Sequence, residues 1–198
     1  HLFPGIGFAD EKLAEREVPK NADTGWFAIP KWQSLAPTYG EAVELVLNKL
    51  KETRNGAFYN YREGELGPDQ LRQSAKTASV FQKLAEEQNG FDILVVAAQF
   101  GLRHRGRSVR RVREILLGNE FGLGAFAVGI MLLTHPERLA HYDDLWIDCA
   151  GDEFAPDANG KFWHAPLFGF GDVGLEFGAG GVSGAGGYFG SVSAFLPL

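Results

Sequence analysis

Phe91-Asp92-Ile93-Leu94-Val95-Val96-Ala97-Ala98 leads through Gln99-Phe100-Gly101 into Leu102-Arg103-His104-Arg105-Gly106-Arg107-Ser108-Val109-Arg110-Arg111-Val112-Arg113. The first part is a short, continuous apolar run with β-branched residues. Such a run, flanked by Gly90 and Gly101, predicts a strand buried on both faces. A lone buried strand needs neighbours to satisfy its backbone. Strand-like runs gather mainly near the C-terminus, at Leu145–Cys149, Lys161–Phe170, Val173–Phe177 and Tyr188–Leu196. The chain therefore has to bring residues 91–98 to its C-terminal third.

Upstream, Thr38 and Glu41 form an S/T-x-x-E capping box. Ala42, Val43, Val46, Leu47 and Leu50 follow at helical spacing, which predicts a helix over 38–54 that ends at Asn55-Gly56. A second helix is expected over 69–89, with Pro68 at its first turn and Leu71, Ala75, Ala78, Phe81, Leu84 and Ala85 as its apolar face. Residues 1–37 lack helical period and read as an extended lead-in, with a short strand at Trp26–Ile29. Ser108 is placed to cap a helix ending at Gly118. Gly122–Leu133 is apolar on nearly all sides and predicts a fully buried helix. Thr134 to Glu137 repeats the capping-box spacing and opens a short helix. In the C-terminal third, Pro156 to Gly160 marks a turn. Gly171-Asp172 and the glycine-rich stretch 178–187 separate three strands expected to be antiparallel.

Helices, then one buried strand, more helices, and finally a run of strands predict an α+β class. The expected architecture is one domain over 38–198, with amphipathic helices and one buried helix on a mixed or antiparallel sheet. A C-terminal β-meander closes it, and a sub-boundary near residue 140 is the alternative division.

The 198 residues carry 19 Lys+Arg and 25 Asp+Glu, a formal net charge of −6. That balance excludes a protein that coats nucleic acid over its whole surface, while leaving room for a local basic patch. The charge is uneven: from Ala140 onward eight acids face one base, Lys161, a net −7. A single cysteine, Cys149, excludes an internal disulfide and a multi-cysteine zinc site. It fits a reducing compartment, and the expectation is a cytoplasmic protein. The longest apolar stretch, 123–133, is too short to span a bilayer, so no membrane partner is expected.

Six arginines stand within eleven positions, 103–113. Like charges at that density repel unless an anion neutralises them. Arg103, Arg105, Arg107, Ser108, Arg110 and Arg111, with Arg113 at the margin, form the candidate anion site. A basic loop entering a helix at Ser108 would combine guanidinium groups with free backbone N–H groups. The pattern matches neither a Walker A loop nor a dinucleotide fingerprint. Two outcomes follow: the arginines pair with the acidic C-terminal third, or they face a foreign polyanion, with nucleic acid the first expectation.

A second cluster, Asp148, Asp152, Glu153 and Asp157, offers hard oxygen ligands for a divalent cation, with His141 and His164 near in sequence. No resident cofactor is otherwise expected. With the arginines clamping phosphate, this set would suit a metal-dependent hydrolase of a phosphorylated substrate. A third reading is self-assembly into a homo-oligomer, basic segment against the acidic third of a neighbouring copy. Cys149, Ser191 and Ser193 lack the setting of activated nucleophiles. Trp26, Trp32, Trp146, Trp163, Tyr59 and Tyr61 could stack on bases, though most should be core. His135, before Pro136, reads as a local packing residue.

Overall fold

The computed structural model describes residues 2–19, 25–157 and 160–196. Its strands form two sheets, and the fold is α+β with mixed and antiparallel pairing. The 91–98 run is a strand, paired on one side with residues 193–195 of the C-terminal third, as expected, and on the other with residues 25–30 of the lead-in. Strand β1 (Gly25–Pro30) leads to helix α1 (Tyr39–Thr53), and β2 (Phe58–Asn60) and β3 (Leu71–Gln73) precede helix α2 (Ala75–Glu87). Strand β4 (Ile93–Gln99) is followed by α3 (Val109–Ile115), β5 (Glu120–Gly122) and α4 (Ala125–Thr134). The C-terminal part holds β6 (Trp146–Asp148), β7 (Asp152–Phe154), β8 (His164–Gly171), β9 (Gly174–Gly181), β10 (Phe189–Ser191) and β11 (Ser193–Phe195).

The first sheet is antiparallel throughout, in the order β1-β4-β11-β5. Strand β4 is inner, and Leu94 to Ala98 are buried without a break, as a strand covered on both faces must be. Strand β1 lies at the sheet edge, where Pro30 removes no needed ladder donor. The lead-in adds a parallel bridge, Ala9 to Ile93, and a 3₁₀ turn at Glu11–Leu13.

The second sheet has β8 at its centre. One edge of β8 pairs with β9, and β9 pairs in parallel with β2. The other edge meets β6 and β7 in succession; β6 continues to β10, and β7 to β3. Phe168 and Phe177, register partners on β8 and β9, face the core with Ile147, and all three are fully buried.

Helix α1 has the full capping box, Thr38 and Glu41 each bonding the other's backbone, and buries the expected stripe from Ala42 to Leu50. It packs on α4, whose residues 125–132 are all buried. A helix apolar all round has no polar face to offer solvent, which fits this placement. Among the described residues no helix is long and apolar enough to cross a membrane.

Four local expectations are corrected. The 69–89 segment is not one helix. Leu71–Gln73 pair with β7, and Ser74 caps the helix that follows by accepting from the Thr77 amide. The ladder with Phe154, Glu153 and Asp152 takes up the backbone that a longer helix would have used. The buried stripe of α2 is consequently Thr77, Val80 and Leu84, while Ala75 and Ala78 are exposed. The capping box at 134–137 does not form. The Thr134 hydroxyl bonds back to the Ile130 and Met131 carbonyls, and a 3₁₀ turn, Pro136–Leu139, follows without a side-chain cap. The buried helix begins at Ala125, because Glu120–Gly122 pair with β11. The last strands do not continue one meander. Strand β10 runs parallel to β6, and β11 crosses into the first sheet, linking the two sheets through Val192.

Candidate functional site

Gly101 turns the chain out of β4 into the arginine segment. Its φ of 99° lies in the left-handed region, and a Cβ there would stand 2.6 Å from the Gly190 carbonyl oxygen. A short 3₁₀ turn, Leu102–His104, then leads to Ser108 and α3. The Ser108 hydroxyl is buried and accepts from the Arg111 amide, while the Arg110 amide donates to the Val182 carbonyl at 2.9 Å. The Arg110 and Arg111 amides at the start of α3 are thus occupied by the protein itself.

The six arginines divide into two groups. Arg103 and Arg113 reach inward. Arg103 Nε meets the fully buried Glu120 at 3.2 Å, and Arg113 Nε donates to the Ala150 carbonyl at 3.0 Å, with its other arm on the Asp152 carbonyl. Burial lowers the Arg113 pKa, a drift that the nearby Glu153 and Asp152 oppose. Arg105, Arg107, Arg110 and Arg111 are exposed. Arg111 pairs locally with Glu114 at 3.0 Å. Arg105 donates to the Gly187 carbonyl and Arg107 to the Arg103 carbonyl, both neutral partners. Among the described residues the Arg110 guanidinium has no hydrogen bond or ion pair. Glu120 and Glu114, which pair with Arg103 and Arg111, lie before residue 140, while Glu153 and Asp152 of the acidic third act on Arg113.

Arg105 also lines a hollow beside the segment, a groove of ≈ 590 Å³ walled by Tyr142, Asp143, Trp146, Tyr188 and Phe189. Its aromatic wall comes from sheet register. Trp146 stands opposite Phe189 on the parallel pair β6/β10, so both rings project from one face, with centroids 5.5 Å apart and edge to face. Gly169 on β8 makes room for them, since a Cβ there would lie 2.5 Å from the Trp146 ring. Tyr142 and Tyr188 are 73% and 76% exposed, and so stand open to a ligand. The same strands turn Ile147 and Phe168 to the core. The second sheet therefore packs one face on the core, while its other face is covered in part by α3, whose Val109 and Val112 cluster with Ala165, and is open at the groove.

The four acids do not converge. Asp152 is wholly buried. It accepts from the Tyr39 hydroxyl at 2.8 Å and from the Ala125 amide at 2.7 Å, at the N-terminus of α4. Its neighbour Glu153 points to the opposite side of β7 and pairs with Arg72 at 2.8 Å. Asp157 is exposed in the following loop, and Asp148 sits alone on the outer face of β6. Among the described residues no three His, Cys, Asp or Glu side chains are grouped to hold a metal ion. Burial pushes the Asp148 carboxyl up to about 7, with nothing nearby opposing it. Cys149 is buried, and burial pushes its thiol well above its ordinary value, so it is not a ready thiolate.

Sequence reading missed two features. Tyr142, Tyr188 and Phe189 join Trp146 only through the β6/β10 register, and no local spacing announces that. The other is a buried polar cluster around Glu120, which accepts from Ser193 Oγ at 2.6 Å, lies 2.8 Å from His104 Nε2 and meets Arg103. Gln99 completes it by donating to Ser193 Oγ at 2.9 Å. The one signal was a lone acid inside the apolar run from Ile115 to Leu133.

Comparison with protein-family models, with curated proteins and with solved structures found no match.

Proposed function

We propose that this protein binds single-stranded nucleic acid across the outer face of its second sheet. Phosphates would be met by Arg105, Arg107 and Arg110, and bases would stack on Tyr142, Tyr188, Trp146 and Phe189. The observation that carries the reading is the groove in which Arg105 and four aromatic side chains line one hollow. Backbone-tracking cations beside exposed rings are the arrangement that holds unpaired strands, because every base has a face to stack and every phosphate a charge to neutralise. A duplex keeps its bases stacked internally and gains little from such rings. The groove carries one acid, Asp143, against Arg105, and Arg107 and Arg110 follow in the same exposed segment. The overall charge of −6 favours a confined contact over indiscriminate coating.

Fluorescence anisotropy of labelled single-stranded DNA and RNA at low salt tests this. Wild type is expected to bind both with an affinity that falls steeply as salt rises. A triple variant, Arg105→Ala/Arg107→Ala/Arg110→Ala, is expected to lose binding by at least roughly tenfold and to show a shallower salt slope. Equal binding by the folded variant and wild type overturns the proposal.

A further inference from the structure

Beyond Phe189 the outer face of the second sheet continues into a second, smaller hollow. This cleft of ≈ 230 Å³ is lined by Val109, Asp148, Leu167 and Phe189, and by glycines of the 180–186 stretch. Its walls are apolar side chains and bare backbone. Into it faces one carboxyl group. Asp148 is 9% exposed and, among the described residues, its carboxyl group makes no hydrogen bond and no ion pair. Its register partners explain the isolation: Leu167 on β8 offers only methyl groups, and Ser191 on β10 carries a buried hydroxyl that is itself without a partner. An unpartnered carboxyl group in an otherwise apolar wall is costly, and such a group in a native protein calls for an explanation.

We propose that this cleft is a base-recognition pocket that takes a guanine, with Asp148 accepting from the paired N–H donors on the guanine edge. The inference rests on the nucleic-acid reading and names what one subsite of that surface prefers. The chemistry is set by the carboxylate, which has two acceptor oxygens and no donor when ionised. Among the bases, guanine alone presents two adjacent donors, N1–H and N2–H, to meet such a fork. The volume is below the ~300 Å³ at which drug-sized pockets begin, so it admits one ring system and no more. Val109, Leu167 and Phe189 give a flat ring apolar contact, and the bare glycine backbone lets it approach closely. A guanidinium group from an arginine-bearing peptide has the same forked donors. Arg105, Arg107 and Arg110 around the site disfavour a cationic guest and favour one that carries phosphate. Phe189 lines both hollows, so a strand lying in the aromatic groove can turn one base past it into the cleft.

The test compares two labelled single strands of equal length, an oligothymidylate and the same strand with one central guanine, by anisotropy. Guanosine monophosphate and an arginine-rich peptide are titrated alone by calorimetry. Wild type is expected to bind the guanine-bearing strand roughly tenfold more tightly, the discrimination a good two-point contact gives. The ratio is expected to collapse towards one in Asp148→Asn, which replaces one acceptor with a donor. It should also collapse in Gly184→Leu, which fills the cleft from a position whose neighbours leave space for a side chain. Equal binding of both strands by wild type overturns the guanine pocket while leaving the aromatic groove standing. If neither strand binds, the nucleic-acid reading falls. The cleft is then judged on the monophosphate, whose binding by wild type and not by Asp148→Asn supports it and whose failure to bind overturns it. Binding of the peptide in preference to the monophosphate also overturns it.

Discussion

The Tyr39 hydroxyl donates to the Asp152 carboxylate at 2.8 Å, joining the first residue of α1 to the first residue of β7 across 113 positions of sequence. The same carboxylate takes the Ala125 amide, the first N–H of the buried helix α4. A helix end carries partial positive charge and unpaired donors, and in the core no water is present to satisfy them. Asp152 is therefore an internal cap. Tyr39→Phe is expected to cost about 1–2 kcal/mol of stability and Asp152→Ala about 3 kcal/mol or more, since the latter strands two buried donors. Urea denaturation checks both; an Asp152→Ala protein as stable as wild type would show that the cap is dispensable.

Metal addition tests the hydrolase alternative. With Asp152 engaged and Glu153 turned to Arg72, two of the four predicted ligands have other partners. Mg²⁺, Mn²⁺ or Ca²⁺ is expected to leave the thermal midpoint unchanged. An ion bound at a hundred times its Kd would stabilise by about 2.7 kcal/mol, and that would be visible as a shift.

Three buried carboxyls give stability opposite pH slopes: Glu120 is held low, while burial raises both Asp148 and Asp152 to about 7. Burial would raise Glu120, but hydrogen bonds from His104 and Ser193 and the charge of His104 overcome it and hold the group at about 2, against an ordinary 4.5. Its contribution is present above about pH 4.5 and is lost as pH falls towards 2. Asp148, raised by burial from 3.8 to about 7, does the reverse. Its contribution is full below its unfolded value and is lost as pH rises through 7. At ~1.4 kcal/mol per unit, Asp148 accounts for a loss on the order of 4 kcal/mol between pH 4 and 7. Asp148→Asn should make the neutral limb of the stability profile shallower, with Asp152 keeping its share, and Glu120→Gln should flatten the acid limb. Unfolding midpoints from pH 2 to 8 read both, and an unchanged neutral limb in Asp148→Asn would refute its assignment.

The arginines should separate by role. Arg113→Met removes the donor to the Ala150 and Asp152 carbonyls and is expected to destabilise by about 2 kcal/mol. Arg107→Ala and Arg110→Ala, exposed and without carboxylate partners, should stay within about 0.5 kcal/mol of wild type. Thermal unfolding of the single variants checks this division.

The exposed tyrosines should carry base stacking. Tyr142→Ala and Tyr188→Ala are each expected to weaken single-strand binding by about 1–3 kcal/mol without changing its salt dependence, because stacking releases no counterions. A changed salt slope in either variant would contradict this role.

Local chemistry made much of the fold readable. The Thr38–Glu41 box, the stripe from Ala42 to Leu50, the all-apolar α4, the Ser108 cap and the 91–98 strand are written in patterns a few residues long. Their causes, capping and burial periodicity, act over a turn or two of chain. The start of α2 was not readable, because Leu71–Gln73 make their ladder with residues about eighty positions away. The arginine cluster was visible as a charge problem, but its solution was not. Arg103 and Arg113 turn inward because Glu120 and the 150–152 backbone happen to lie beneath them, which distant strand pairing arranges. The aromatic groove and the Asp148 cleft arise the same way. Side chains scattered from Arg105 to Phe189 meet only because β6 and β10 pair in parallel, in a register that puts Trp146 beside Phe189 and Asp148 beside Ser191. Composition and spacing therefore specify which groups the chain possesses and which short elements form, whereas long-range hydrogen-bond register selects which of those groups share a face.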